Sequence, residues 1–338
     1  MKKENLIIQN KFNLALNSHR KNNLKVAEKL YKEVLETSPN HLEAICYLGT
    51  LLAQTKKLNS AKILFFKAIK INPNNPSINN NLGNIFFEMG DNQKAMTFYE
   101  KAIQLQPNFS QTYYNIGIIF NIQGEYQKAI RNFEKVIQYE PEDIKSYNIL
   151  GKILKELGEY KKALSYYERS IKINPNNIVT INLILDFFTS IRFSNLNEID
   201  IAVIKKLILF LFKKKINHNG LFHKAKSLIF SIKNKNTIEQ IINSDLDLLN
   251  DISTQKILKE EMFLLMIQNC FIRDIFLEKF LTKLRKEILF SLKNSKKNIL
   301  NEYLHFLVSL AEQSFLNEYV FFQSQEEINY INNLEKKV

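Results

Sequence analysis

Residues 76–107 read PSINNNLGNIFFEMGDNQKAMTFYEKAIQLQP, and this stretch decides the fold. Leu82, Phe86 and Phe87 recur at helical spacing before Gly90-Asp91-Asn92 breaks the pattern. A second helical stretch carries Ala95, Phe98, Tyr99 and Ala102. Pro107 follows its end, because a residue without an amide hydrogen cannot continue a helix. Two helices joined by a tight turn are expected. Gly83 and Ala95 are expected where the helices cross most closely, since a larger side chain would drive the axes apart. Phe98 and Tyr99 are expected to fill the space between neighbouring pairs.

Outward from this stretch the same unit repeats. Pro39, Pro73, Pro107, Pro141 and Pro175 stand 34 residues apart, and Ala27, Ala61, Ala95, Ala129 and Ala163 keep the same step. So do Gly49, Gly83, Gly117 and Gly151. A fixed period of this length marks stacked helix–turn–helix units, each hiding its apolar face against the next. The expectation is an all-α solenoid of about five repeats within residues 1–193. The stretch Asn177 to Arg192 is read as a final helix that covers the open apolar edge. After Pro175 the period stops and no proline occurs.

Ser194-Asn195-Leu196-Asn197 is the expected boundary to a second region, 198–338. That region reads as further helices: 198–215, 221–233, 237–249, 254–271, 273–292, 299–321 and 325–337. Asn234-Lys235-Asn236 is among the expected gaps. No alternation of β-branched residues between hairpin turns suggests a sheet.

The register resembles the tetratricopeptide repeat over roughly residues 8–175. Its order of apolar residue, Leu-Gly, apolar residue, Ala, aromatic, Ala and Pro stands here as Ile45, Leu48-Gly49, Leu52, Ala61, Phe65, Ala68 and Pro73. It returns as Tyr113, Ile116-Gly117, Phe120, Ala129, Phe133, Val136 and Pro141, and as Tyr147, Leu150-Gly151, Leu154, Ala163, Tyr167, Ser170 and Pro175. The first unit departs by placing Ala15 where glycine is usual.

The resemblance implies a right-handed superhelix whose first helices line a concave groove. Positions flanking each glycine would then face that groove: Asn80, Asn81 and Asn84; Tyr114, Asn115 and Ile118; Asn148 and Lys152, with Lys145 one turn earlier. Cys46 falls in such a place too, as a small apolar filler. Amides donate and accept together, so a row of them suits an extended peptide backbone.

Two subfamilies use these positions. One grips a terminal carboxylate with Lys, Asn, Asn, Lys and Arg. Asn84, Asn115 and Lys145 match three of those places, while Asn80 and Ile149 replace two of the three cations. The other, in glycosyltransferases, runs an asparagine ladder that Asn13, Asn81 and Asn115 match and Tyr47 and Ile149 do not. Asn81 and Asn115 are accordingly expected to be replaceable by Ala with little loss of stability. The partner implied is a protein or an extended peptide.

Two further blocks, Phe280 to Leu289 and Leu310 to Glu327, resemble the helical segment that joins such arrays to a methyltransferase domain in some bacterial proteins. The resemblance implies a substrate-selecting part of a methyltransferase or glycosyltransferase as the alternative to a free-standing interaction protein. Asn317, Glu318 and Tyr319 carry that reading.

Composition sets the outer limits. The chain is 45% hydrophobic and carries 47 basic against 34 acidic residues, a formal charge of +13. The excess is spread along it: 25 basic against 16 acidic residues up to Pro175, and 22 against 18 beyond. Only six of the cations are Arg, whereas a phosphate-reading surface favours Arg forks. With its abundant Asn, Ile and Phe, this fits coding bias better than specific nucleic-acid recognition. Cys46 and Cys270 lie far apart in sequence, and the first 20 residues lack a continuous apolar stretch. The longest apolar run, Leu207 to Phe212, is far too short to span a membrane. A cytoplasmic, bacterial setting is expected.

Catalytic patterns are not found. Eight glycines, four of them in the repeat register, leave no phosphate-cradling loop. His218 and His223 flank Gly220, as solvated loop residues would, and His305 is expected to pack in a core. No nucleophile elbow is present, and carboxylates sit beside lysines, as in Lys259-Glu260-Glu261. No catalytic residue, metal or cofactor is expected.

Overall fold

A computed structural model describes residues 2–191, 201–230, 232–244, 246–270, 272, 274–293 and 305–310. Among these the chain is helical throughout, with no strand. It is an α-solenoid of helix–turn–helix repeats followed by further helices. The repeats are α1 (Lys2–Arg20) with α2 (Leu24–Thr37), α3 (Leu42–Gln54) with α4 (Leu58–Ile71), α5 (Pro76–Glu88) with α6 (Asn92–Leu105), α7 (Ser110–Ile122) with α8 (Tyr126–Tyr139), and α9 (Ile144–Glu156) with α10 (Tyr160–Ile173). Then come α11 (Ile178–Ser190), α12 (Ile201–Phe212), α13 (Phe222–Ile229), α14 (Ile232–Ile242), α15 (Ile252–Leu258), α16 (Glu261–Asn269) and α17 (Ile275–Lys293). The helices α3, α5, α7, α9 and α11 start 34 residues apart, so α11 keeps the schedule after the proline register ends.

Local chemistry starts and stops these helices. Asn75 Oδ1 accepts from the Ile78 amide and Asp91 Oδ1 from the Lys94 amide, which satisfies donors that a helix start leaves bare. Pro76 occupies the first turn of α5. The turn inside each repeat needs one residue in the left-handed region. Gly90, Gly124 and Gly158 supply it, and Asn22 and Lys56 adopt it at the same register in the first two repeats.

By contacts the chain divides into two compact units, residues 1–153 and 154–338, with the division inside α9. The expected boundary at Ser194 to Asn197 lies outside the described residues.

In the first unit, Phe65, Tyr99 and Phe133 are completely buried, and each packs over the glycine of the first helix in its own repeat. A Cβ on Gly49 would lie 2.7 Å from the Phe65 ring, one on Gly83 2.4 Å from Tyr99, and one on Gly117 2.9 Å from Phe133. Tyr99 therefore works inside its repeat, against Gly83, rather than between repeats. What faces the glycine is the aromatic ring, with Ala95 one turn earlier on the same helix. Phe98 does reach between repeats, stacking on Phe86 at 5.4 Å and meeting Phe66 at 6.1 Å. Ala61, Ala95 and Ala129 have no exposed surface.

In the second unit Ala163 is likewise fully buried, and α11 buries Phe187 and Phe188. The short 3-10 turn Asn219–Leu221 packs closely on α11: a Cβ on Gly220 would meet Thr189 Cγ2 at 2.5 Å. Lys206 pairs with Glu168 at 2.5 Å, Lys214 donates to Asn176 Oδ1 at 2.9 Å, and Lys224 donates to the Ile191 carbonyl. These bonds fasten α12 and α13 to the α10–α11 pair.

Five local readings are corrected. The Asn234-Lys235-Asn236 stretch is helical, inside α14, where Lys235 pairs with Glu239 one turn on, at 3.3 Å. That helix ends at Ile242, ahead of a 3-10 turn at Leu248–Asn250 capped by Asp247. The expected helix 254–271 is two, α15 and α16, broken where Glu260 turns extended and pairs with Lys205 at 2.9 Å. His218 is buried, its Nε2 3.0 Å from the Leu211 carbonyl and its ring on Phe212, while His305 is exposed.

Candidate functional site

The first helices of successive repeats lie side by side, α1 on α3 and α3 on α5. Residues of one face of each therefore form a continuous wall. Along α5 and α7 that wall is built of amides. Asn80, only 4% exposed, accepts through Oδ1 from Thr112 Oγ1 at 3.0 Å and from Asn115 Nδ2 at 3.1 Å. Asn84 Oδ1 accepts from Asn115 Nδ2 at 2.7 Å and from the Tyr99 hydroxyl at 2.7 Å. Asn115 Oδ1 accepts in turn from Gln111 Nε2 at 3.2 Å. Three of the expected site residues are thus one network that ties neighbouring repeats together.

The network is polarised. The carbonyl oxygens of Asn80 and Asn84 are consumed within it, and both amide hydrogens of Asn115 are spent on them. Asn81 and Asn84 are half-buried, and among the described residues their amide nitrogens have no partner. A cavity of about 240 Å³ opens beside them, lined by Thr50, Gln54, Asn81, Asn84 and Glu88. Lys56 spans its mouth to Glu88 at 2.5 Å.

Burial, with Glu88 second, holds the Tyr99 hydroxyl far above its ordinary value, so it stays a neutral donor to Asn84. Burial and then Glu43 push the Cys46 thiol up to about 11, which removes thiolate chemistry at neutral pH.

The remaining expected residues lie towards α9. Tyr114 packs edge-on against Phe133 at 5.6 Å, and burial followed by Asp143 raises its hydroxyl. It shares a small cavity with Ser110, Glu140 and Lys145. Lys145 and Lys152 are exposed, and among the described residues neither has an ion-pair partner; Asn148 is buried. Two contributors to the network, Thr112 and Tyr99, were missed at the level of sequence. The register marked Tyr99 as a packing position, which hid its hydroxyl role, and did not single out Thr112. No group of three or more metal-ligating side chains is present among the described residues. No described helix is long and apolar enough to cross a membrane. The block from Ala311 onward, with Asn317, Glu318 and Tyr319, lies outside the described residues.

Residues 42–75, 77–109, 110–143 and 144–177 each match the tetratricopeptide repeat family. Among solved structures, PilF from Pseudomonas aeruginosa aligns with a TM-score of 0.51 at 19% identity, over 62% of this chain and 92% of that one. MamA aligns at 0.43 and 23% identity, over 52% and 94%. YrrB, described as a TPR protein with an unusual peptide-binding site, aligns at 0.40 and 20%, over 51% and 89%. At these identities PilF speaks for the fold alone. No curated protein matches the chain.

Proposed function

Because residues 42–75 and 77–177 are tetratricopeptide repeats, we infer that the chain is a protein-interaction module, and we propose that α3, α5 and α7 hold an extended peptide or protein segment of a partner. The observation that carries this reading is the set of amide donors on Asn81 and Asn84, unpartnered beside a cavity of about 240 Å³. A free amide donor on a half-buried wall suits the carbonyl oxygens of an extended main chain. Lys145 and Lys152 add unpaired positive charge further along the wall, which favours a partner with acidic groups. The role is non-catalytic. A cytoplasmic setting fits two cysteines that are both free thiols.

The test is affinity capture from the native extract with the full chain, side by side with Asn81→Ala. Asn81 takes no part in the internal network, so its removal should leave the melting temperature within about 1 °C while releasing the captured partner. Undiminished capture by that variant would move the contact away from these repeats.

A further inference from the structure

The second unit holds a feature that partner binding does not use. The 3-10 turn Leu248–Asn250 packs on α17, and there two carboxyl groups converge on one backbone amide. The Leu249 N–H donates to Asp247 Oδ1 at 2.8 Å and to Glu287 Oε2 at 3.1 Å. The other Glu287 oxygen, Oε1, is buried without a hydrogen-bond partner. Two ionised carboxylates cannot share one amide hydrogen and also lie in contact without strong repulsion. A proton held between them removes the repulsion.

We propose that Asp247 and Glu287 form a proton-sharing clasp, which holds residues 246–250 on α17 below neutral pH and loosens as pH rises. Burial first, then the adjacent Asp247, push the Glu287 carboxyl up to about 7 from an ordinary 4.5, against the pull of the Leu248 and Leu249 amides. Beside the clasp lies a cleft of about 760 Å³, lined by Ile242, Leu246, Lys279, Thr282 and Lys286 with the two acids at its edge. Loosening the clasp widens that cleft.

Other charged groups stand on every element packed here, and four of them are committed elsewhere. On α14, Lys235 pairs with Glu239. On α17, Lys283 donates to the carbonyls of Ile241 and Ser244, both at 2.6 Å. Asp251 caps the Thr254 amide at 2.7 Å, and Lys256 on α15 is exposed. Glu278, Lys279, Arg285 and Lys286 complete the charged groups of this part of α17.

The direction of the effect follows from the raised carboxyl. Its stabilisation is complete below the ordinary value of 4.5, is lost as pH rises through about 7, and is flat above. The experiment is amide hydrogen exchange at Leu249 in the full chain, corrected for intrinsic rates, from pH 5 to pH 8. Protection should fall about tenfold across that range, because Asp247 is exposed and water screens the pair. Glu287→Gln keeps the shape, is always neutral, and should hold Leu249 equally protected at both ends. Constant protection in the wild-type chain would overturn the clasp, whatever the variant does. So would a Glu287→Gln profile that falls in parallel with wild type.

Discussion

Tyr99 has two neighbours that explain much of the repeat. Its ring takes the space over Gly83, and its hydroxyl ends on Asn84, which itself joins α5 to α7. Gly83→Ala should therefore cost about 1–3 kcal/mol, because a Cβ 2.4 Å from a fully buried ring must push it off its rotamer. Urea unfolding would read this as a lower midpoint at unchanged slope.

Asn79 makes the opposite case. It is fully buried where Ile45 stands one repeat earlier, and its Oδ1 has no partner. Asn79→Ile should stabilise by about 1 kcal/mol, since the desolvated oxygen disappears, and thermal unfolding would show a higher midpoint. For Asn115 the sequence expectation changes: its two bonds to Asn80 and Asn84 mean that Asn115→Ala costs stability as well as any binding.

At the scale of elements, caps decide where helices begin in both units. Asp274 is the clearest example. Its Oδ1 accepts from the Leu277 amide at 3.0 Å at the start of α17, and its Oδ2 meets Lys226 of α13 at 2.5 Å. Burial alone would raise its pKa, yet Lys226 and the Leu277 amide hold it below the usual carboxylate range. Asp274→Ala should destabilise by about 1–2 kcal/mol, loosening α13 from α17. The lowered pKa sets the sign with pH. The contribution is present at neutral pH and disappears as acid protonates the carboxylate, so wild type and variant should converge in melting temperature towards pH 3.

At the scale of the whole molecule, the charge of +13 is diffuse, and much of it is answered locally. Lys94, Lys128 and Lys162 each pair with an acid three residues earlier in the same register. Such exposed pairs add little stability, and a diffuse field binds polyanions only through released counterions. Duplex DNA or heparin should bind the chain at low salt and let go by about 0.2 M, as fluorescence anisotropy would report. Sequence-selective binding that survives that salt would show a dedicated nucleic-acid surface.

The fold was legible because stacked repeats impose the same demands on every unit. Pro39 through Pro175, the alanines beginning at Ala27 and the glycines beginning at Gly49 record where a helix must stop and where two helices must come close. The turn was read at Gly90, and its left-handed backbone recurs at Gly124 and Gly158, at Asn22, whose short amide tolerates it, and at Lys56, whose side chain does not announce it. The site was legible only as positions. Asn80, Asn84 and Asn115 read as one row of equivalent amides, and the sequence set no distinction among them or from Asn81.

The sequence by itself determined the repeat, its period and the helices that carry it, because those depend on contacts within about one repeat's length of chain. Tertiary structure alone decided which amides are spent and which are free, since Thr112, Tyr99 and Asn115 meet Asn80 and Asn84 only when neighbouring helices have packed. It likewise brought Glu287 to Asp247 across 40 residues of chain. A hydrogen bond needs its atoms within about 3 Å, a condition that residue order states only for near neighbours and that packing must supply for the rest.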